Sequence, residues 1–250
     1  MMLRPNDVPR RLDTAIPGLQ LVPLADGDAE ELFALTAANR AHLQRWLPWV
    51  NDVRCVADSS MHVRNGLELR RLGLRLDYTI RLHGRVIGTI AYHVLQPANR
   101  LGMIGYWLAQ DATGHGYMTT AVRHLVEYGF VDLALNRIEL RVAVGNCASQ
   151  KICTRLGFKE EGVLREAEWL HDHFVDLRVN ALLRSEWERG TGRVPGQMPQ
   201  MPQAENATNG RGENHTAPRR NTASHGGKIK SSAEHAEQRR KEKTSTDYTD

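Results

Sequence analysis

Two stretches of this chain hold residues whose types and spacing could do chemistry. The first reads Ile104-Gly105-Tyr106-Trp107-Leu108-Ala109-Gln110-Asp111-Ala112-Thr113-Gly114-His115-Gly116-Tyr117-Met118. An apolar run enters a loop carrying Gly114 and Gly116, and an amphipathic segment with helical spacing leaves it. The first-turn N–H groups of a helix have no intrahelical partner and lie at the positive end of its dipole, so they favour an anion. Glycines there let backbone approach a phosphate without a Cβ in the way. Gly116 is followed by Tyr117-Met118-Thr119, and no lysine stands close, so this is neither a P-loop nor a dinucleotide fingerprint. That argues against nucleotide hydrolysis and hydride transfer. On this loop alone two readings stay open: a phosphate cradle, or a turn that needs glycine only for its geometry.

The second stretch is Asn146-Cys147-Ala148-Ser149-Gln150-Lys151-Ile152-Cys153-Thr154-Arg155-Leu156-Gly157-Phe158. Asn146 stands where a strand gives way to a helix and can cap it. Its amide could also bind a ligand passing between two strands, and Ser149, one turn in, could face the same place. By itself the stretch reads equally as a capped helix ended by Gly157.

The surrounding pattern supplies the elements that must position these groups. Leu19–Leu24 reads as a strand. Asp26 or Asp28 could cap a helix carrying Leu32, Phe33 and Leu35, and a further helix is expected over 54–70. Pro48 should end or bend any helix around Trp46 and Trp49. Leu76–Leu82 and Arg85–Leu95 form a hairpin about His83-Gly84. Val122, Leu125, Val126, Gly129, Phe130 and Leu133 recur at threes and fours, the buried stripe of a helix opening near Gly116. Ile138, Leu140, Val142 and Val144 alternate with Arg137, Glu139 and Arg141 as a strand. A helix with Ala148, Ile152 and Leu156 on one side follows, and then two strands run toward Trp187. The order implies an α+β, mixed α/β fold.

Composition bounds the rest. Hydrophobic residues are 41% of the chain, enough for a sizeable core, and no apolar run is long enough to span a membrane. Three cysteines do not suggest a disulfide scaffold, and no apolar signal core follows Met1, so the expected compartment is the cytosol. Of the net +4, residues 190–250 hold +3, with ten Lys or Arg against seven Asp or Glu. This polar, mildly basic segment is expected to be a disordered tail. It could make weak contacts with polyanions, and its Arg239–Lys243 stretch could touch RNA. The sequons at Asn206 and Asn214 read as chance matches. Residues 1–16 are expected to form a flexible arm, and 17–189 the folded domain.

Taken together, these residues resemble the GNAT (GCN5-related N-acetyltransferase) superfamily, and within it the branch that acetylates serine or alanine N-termini of ribosomal proteins. The matching text is Ile104–Leu108, Gly114–Thr119, Asn146 with Ser149, Leu156-Gly157-Phe158, Glu161–Arg165, Asp172–Asp176 and Glu186-Trp187, with His42-Leu43 and Trp46–Trp49 upstream. The resemblance implies a central mixed, mostly antiparallel sheet with splayed central strands, flanked by helices. It implies acetyl-CoA as co-substrate, no metal, and a monomer or homodimer. Carried over, the cofactor residues are Tyr106, Trp107, Leu108, Asp111, Ala112, Thr113, Gly114, His115, Gly116, Tyr117, Asn146 and Ser149. Glu168 is implied as base and Ser149 as donor to the departing sulfur. Arg45, Trp46, Trp49 and His173 would border the acceptor.

The chain departs from the family at three places. Asp111 stands where the loop opens with Arg or Gln. Thr120 stands where many members of the branch have Glu. Cys153 occupies the usual position of an acid tyrosine. The implied reaction is direct attack of a primary amine on the thioester, with the N-terminal α-amine of a protein, ribosomal by this resemblance, as first expectation. A small-molecule amine (polyamine, amino acid or antibiotic) and a non-catalytic acyl-CoA sensor or ribosome-associated module remain the alternatives. His171-Asp172-His173 with Asp176 invites a metal reading, against which the family resemblance weighs.

Overall fold

A computed structural model describes residues 10–192. The strands, in chain order, are β1 (Leu12–Asp13), β2 (Leu19–Pro23), β3 (Leu76–Leu82), β4 (Arg85–Gln96), β5 (Leu101–Leu108), β6 (Arg137–Ala143), β7 (Lys159–Leu170) and β8 (His173–Leu183). The helices are α1 (Ala29–Ala38), α2 (Arg40–Leu43), α3 (Val56–Arg71), α4 (Tyr117–Val131), α5 (Cys147–Arg155) and α6 (Arg184–Thr191). The strands make one sheet in the order β1-β2-β3-β4-β5-β6-β8-β7. All neighbours are antiparallel except β5 and β6. This is the mixed, mostly antiparallel α+β architecture anticipated above.

The parallel ladder is short. It pairs Leu101 with Arg137, Gly102 with Ile138 and Met103 with Glu139, and then stops. Beyond it β5 continues to Leu108 on β4, and β6 to Ala143 on β8, with no bonds between them. The facing edges of two central strands are therefore open from about Ile104 and Leu140 onward.

Helix α4 holds one side of this split together. Its Ala121, Val122, Leu125 and Phe130 are fully buried against Leu76, Tyr78, Ile90 and Ile138. Glycine is required at Gly129: a Cβ there would lie 2.0 Å from Tyr92 Oη, whose hydroxyl donates to the Leu125 carbonyl at 2.9 Å. Alternation along β3 puts Asp77 on the opposite face from Leu76 and Tyr78, and there α3 closes over it, Gly66 lying against the Asp77 carboxylate. Across β6, Glu139 is buried but bonded by Arg137 at 2.8 Å and approached by Arg141 at 3.4 Å, which offsets the cost of its burial.

Several expectations change. The segment assigned to an arm contributes β1, because Leu12 is buried and Arg10 bonds Asp132 at 3.1 Å; residues 1–9 lie outside the described residues. The chain after β8 forms α6, not only a strand, and Trp187 packs on Phe130 with ring centroids 5.4 Å apart. Helix α6 crosses the expected boundary at 189. The rest of the expected tail, with Asn206, Asn214 and Arg239–Lys243, lies outside the described residues. Asp28 stands at the N-cap of α1, but its carboxylate accepts instead from Ala25 N–H and Arg81. On α5 the buried side chain is Cys153, and Ala148 is exposed. No helix among the described residues is long and apolar enough to cross a membrane.

The close approach of α4 to Tyr92 has a measurable consequence. Gly129→Ala should lower stability by about 1–3 kcal/mol, the range for overpacking a tight core, read as a fall in denaturant midpoint. An unchanged midpoint would contradict the packing described.

Candidate active site

A cavity of about 1240 Å³ follows the split between β5 and β6. One end lies at the start of α4. Gly114 and Gly116 both have positive φ, +82° and +79°, which favours glycine, and a Cβ on either would meet nothing within 4 Å. Gly116 is the N-cap of α4, and no side chain caps it. The backbone N–H groups of Gly114 through Met118 donate to no acceptor among the described residues. An uncapped helix start opening on a cavity, with glycines keeping the approach clear, fits a pyrophosphate. Asn39 holds the loop from below, its Oδ1 accepting from Gln110 N–H at 2.8 Å.

The loop residues divide. Ala112, Thr113, Gly114, Gly116 and Tyr117 line the cavity, whereas Asp111 and His115 do not. Ala112 is the buried residue of the turn Gln110–Ala112, and Asp111 is exposed and off the cavity wall. His115 stacks on Tyr117, with centroids 5.4 Å apart.

Further along, Tyr106, Trp107 and Leu108 line the β5 wall, and Asn146 and Ser149 face them from α5. The edge of β5 that has lost β6 offers backbone groups to an extended ligand arm, as an added strand would find. Asn146 caps α5 by accepting from Ser149 N–H at 3.1 Å. Its cap role and its place on the cavity wall are thus both realised. Tyr106 Oη is buried without a fully formed hydrogen bond, beside the Ser149 hydroxyl, and burial raises its pKa. Burial also pushes the Cys153 thiol up to about 11, which suits a packing group rather than a proton donor.

Glu168 reaches the same cavity from β7. The strand loses register between Leu164 and Glu168, and Glu166 takes φ +50°, with its N–H held by Asp176 at 2.8 Å. Such an irregularity re-aims the side chain that follows it. The Glu168 carboxylate has no hydrogen bond or ion pair among the described residues, and burial alone raises its pKa.

The remaining wall comes from the segment after α2. Trp46 lies against Gly145, and Trp49 packs on Trp107 with centroids 6.2 Å apart; both indoles line the cavity. Arg45 does not; it lies over the Trp46 ring at 6.0 Å. His173 does not either, and is exposed, bonded to Asp172 at 2.7 Å. His171 acts as a clasp: Nε2 faces the Gln44 carbonyl at 2.7 Å and Nδ1 the Asn51 amide at 3.1 Å. A ring that donates through Nε2 and accepts at Nδ1 satisfies both. Among the described residues no cluster suits a metal. The sequence reading passed over His62, His93, Lys151 and Arg155, all on the cavity wall. His62 and His93 have no motif around them, whereas Lys151 and Arg155 lie within the Asn146–Phe158 stretch, and only the fold brings the four onto one cavity.

Residues 19–159 match the family model of the acetyltransferase (GNAT) domain. The chain belongs to the GNAT family. Among GNAT relatives, YdaF of Bacillus subtilis, provisionally named a ribosomal N-acetyltransferase, is 35% identical over 167 residues, covering 64% of this chain and 88% of that protein. The ribosomal-protein-serine acetyltransferase of Escherichia coli is 29% identical over 163 residues, 65% of this chain and 91% of that one. The structure of Mycobacterium smegmatis RimJ in complex with CoA-disulfide superposes with a TM-score of 0.66 at 25% identity, covering 74% of this chain and 96% of that one.

A carboxylate whose pKa is raised by folding costs stability once it ionises. Below its unfolded pKa it costs nothing, and the cost grows as pH rises through the folded value. Glu168→Gln should therefore melt higher than the parent at pH 7, with the difference closing toward about pH 4. Equal melting temperatures at pH 7 would mean that Glu168 is not desolvated.

Proposed function

We propose that this GNAT-family protein transfers the acetyl group of acetyl-CoA to the α-amine at a protein N-terminus, with a peptide beginning in Ser or Ala as the preferred acceptor. The observation that carries the reading is the free, desolvated Glu168 carboxylate, placed on the wall of a cavity that also offers an uncapped helix start to a pyrophosphate. An α-amine has a pKa near ~8, about two units below lysine, so a carboxylate suffices to complete its deprotonation. Trp46, Trp49 and Trp107 give the acceptor mouth an aromatic border suited to a peptide. The names of the Escherichia coli and Bacillus subtilis relatives, which cover most of their own length, point the same way.

In this scheme the amides of Gly114–Met118 hold the pyrophosphate, and the open edge of β5 holds the pantetheine arm. The amine attacks the thioester carbon as Glu168 accepts a proton from nitrogen, and the C–S bond then breaks. Ser149, whose backbone is fixed by Asn146, donates a proton to the departing sulfur and regains one from solvent. No acyl-enzyme forms. The spermidine N(1)-acetyltransferase of Vibrio cholerae matches over only 80 residues, 46% of its length, which gives the small-amine alternative less support.

A panel of peptides and small amines with acetyl-CoA, read by the mass of one added acetyl group, tests the reading. Peptides with Ser or Ala first should react best. Glu168→Gln should lower kcat by about a hundredfold, the lower part of the usual range for acid–base groups, and Ser149→Ala should lower it by about tenfold. Turnover confined to polyamines or antibiotics would move the assignment to a small-molecule enzyme. Cofactor binding without turnover on any amine would make the protein a sensor.

A further inference from the structure

The cavity holds a second group able to take a proton. His93 is the extra residue where β4 and β5 slip register, between the pairs Tyr92–Ile104 and Val94–Met103. A bulge turns its side chain out of the regular alternation. The ring fills space that β5 leaves empty: a Cβ added to Gly105 would lie 3.1 Å from His93 Nδ1. This is just past the last β5–β6 pair at Met103, where the two strands part. Neither ring nitrogen has a hydrogen-bond partner among the described residues, and His93 lines the cavity with Gly105 and Glu168.

The charged and titratable groups near the ring come from several elements. Arg75 and Asp77, at the start of β3, are bonded to each other at 2.8 Å. Arg141 comes from β6, and His62 of α3 faces the same Arg75–Asp77 pair. His93 is exposed to the cavity; partial desolvation by the cavity wall first, then the two guanidiniums, hold its pKa below the ordinary value, against a smaller opposing pull from Asp77. At neutral pH the ring is uncharged and keeps a free lone pair.

The reaction leaves room for two acceptors. An amine arriving as an ammonium must lose one proton before its lone pair can attack. The nitrogen loses a second as the amide forms. The thiolate takes up one proton, so one is released to solvent overall. We propose that His93 takes the first proton, from the incoming ammonium, and passes it to water, while Glu168 takes the second as the C–N bond forms. The assignment rests on the acetyl-transfer reading above. It makes His93 a catalytic residue for acceptors that arrive charged.

The test is kcat/KM for a Ser-initiated peptide from pH 6 to 9.5, in the parent and in His93→Gln, Gly105→Ala and Glu168→Gln. Without His93 only the already neutral amine reacts, about a tenth of the total at pH 7 for a pKa near ~8. His93→Gln should therefore lose activity at pH 7, by no more than about tenfold, and close to nothing at pH 9.5. Gly105→Ala keeps both bases but crowds Nδ1, and should show a smaller loss with the same pH trend. The Glu168→Gln loss should persist at pH 9.5. A His93→Gln protein that melts like the parent and shows no loss, or a loss independent of pH, would overturn the assignment. If His93→Gln fails to fold, Gly105→Ala decides by the same criterion. A folded parent that acetylates no amine at any pH would instead overturn the acetyl-transfer reading itself, and this assignment with it.

Discussion

The separation of β5 from β6 after three residue pairs is the constraint on which the rest of the structure depends. A parallel pair inside an otherwise antiparallel sheet needs a crossover, and α4 supplies it. Because the crossover begins at the end of β5, the N-terminus of α4 lies beside the open strand edges. The turn from β6 into α5 places a second helix start, with Asn146 and Ser149, on the same cavity. One loss of pairing thus produces an uncapped helix start, an extended edge and a polar wall on one cavity. The energetic cost of leaving backbone groups unpaired there is met if a ligand arm takes the missing partner's place.

The groups proposed to handle protons arrive by a different route. Regular strands would present alternating side chains to each face, and neither His93 nor Glu168 follows from regular strands. Both stand at places where a ladder slips: His93 between β4 and β5, Glu168 between β7 and β8. These irregularities lie on strands to either side of the split. The residues that stabilise them, Gly105 opposite His93 and Asp176 beneath Glu166, are therefore part of the site's construction although neither handles a proton.

What the sequence made legible is local. Gly114 and Gly116 at a strand-to-helix turn, Asn146 three residues before Ser149, and the apolar stripe from Val122 to Phe130 all signal through neighbours in the chain, and the structure places them accordingly. The hairpin at His83-Gly84 was equally plain. What stayed hidden is long-range. Register slips leave no mark in apolar alternation, so His93 read as an ordinary strand residue. Leu12 is short of context until β2 lies beside it, and α6 is too brief for its period to stand out after the strand pattern of β8. Arg45 and His173 do not line the cavity. Their neighbours Trp46 and His171 take the structural contacts, and the residues themselves turn away from the cavity.

On the proposed function, amides at the start of α4 grip the pyrophosphate of acetyl-CoA in the cleft that the parted strands leave open. Calorimetric titration of the folded chain with acetyl-CoA should give a saturable 1:1 isotherm in the micromolar range (about −8 kcal/mol), weakened when Gly116 is replaced by a β-branched residue. No heat of binding up to millimolar acetyl-CoA would contradict it.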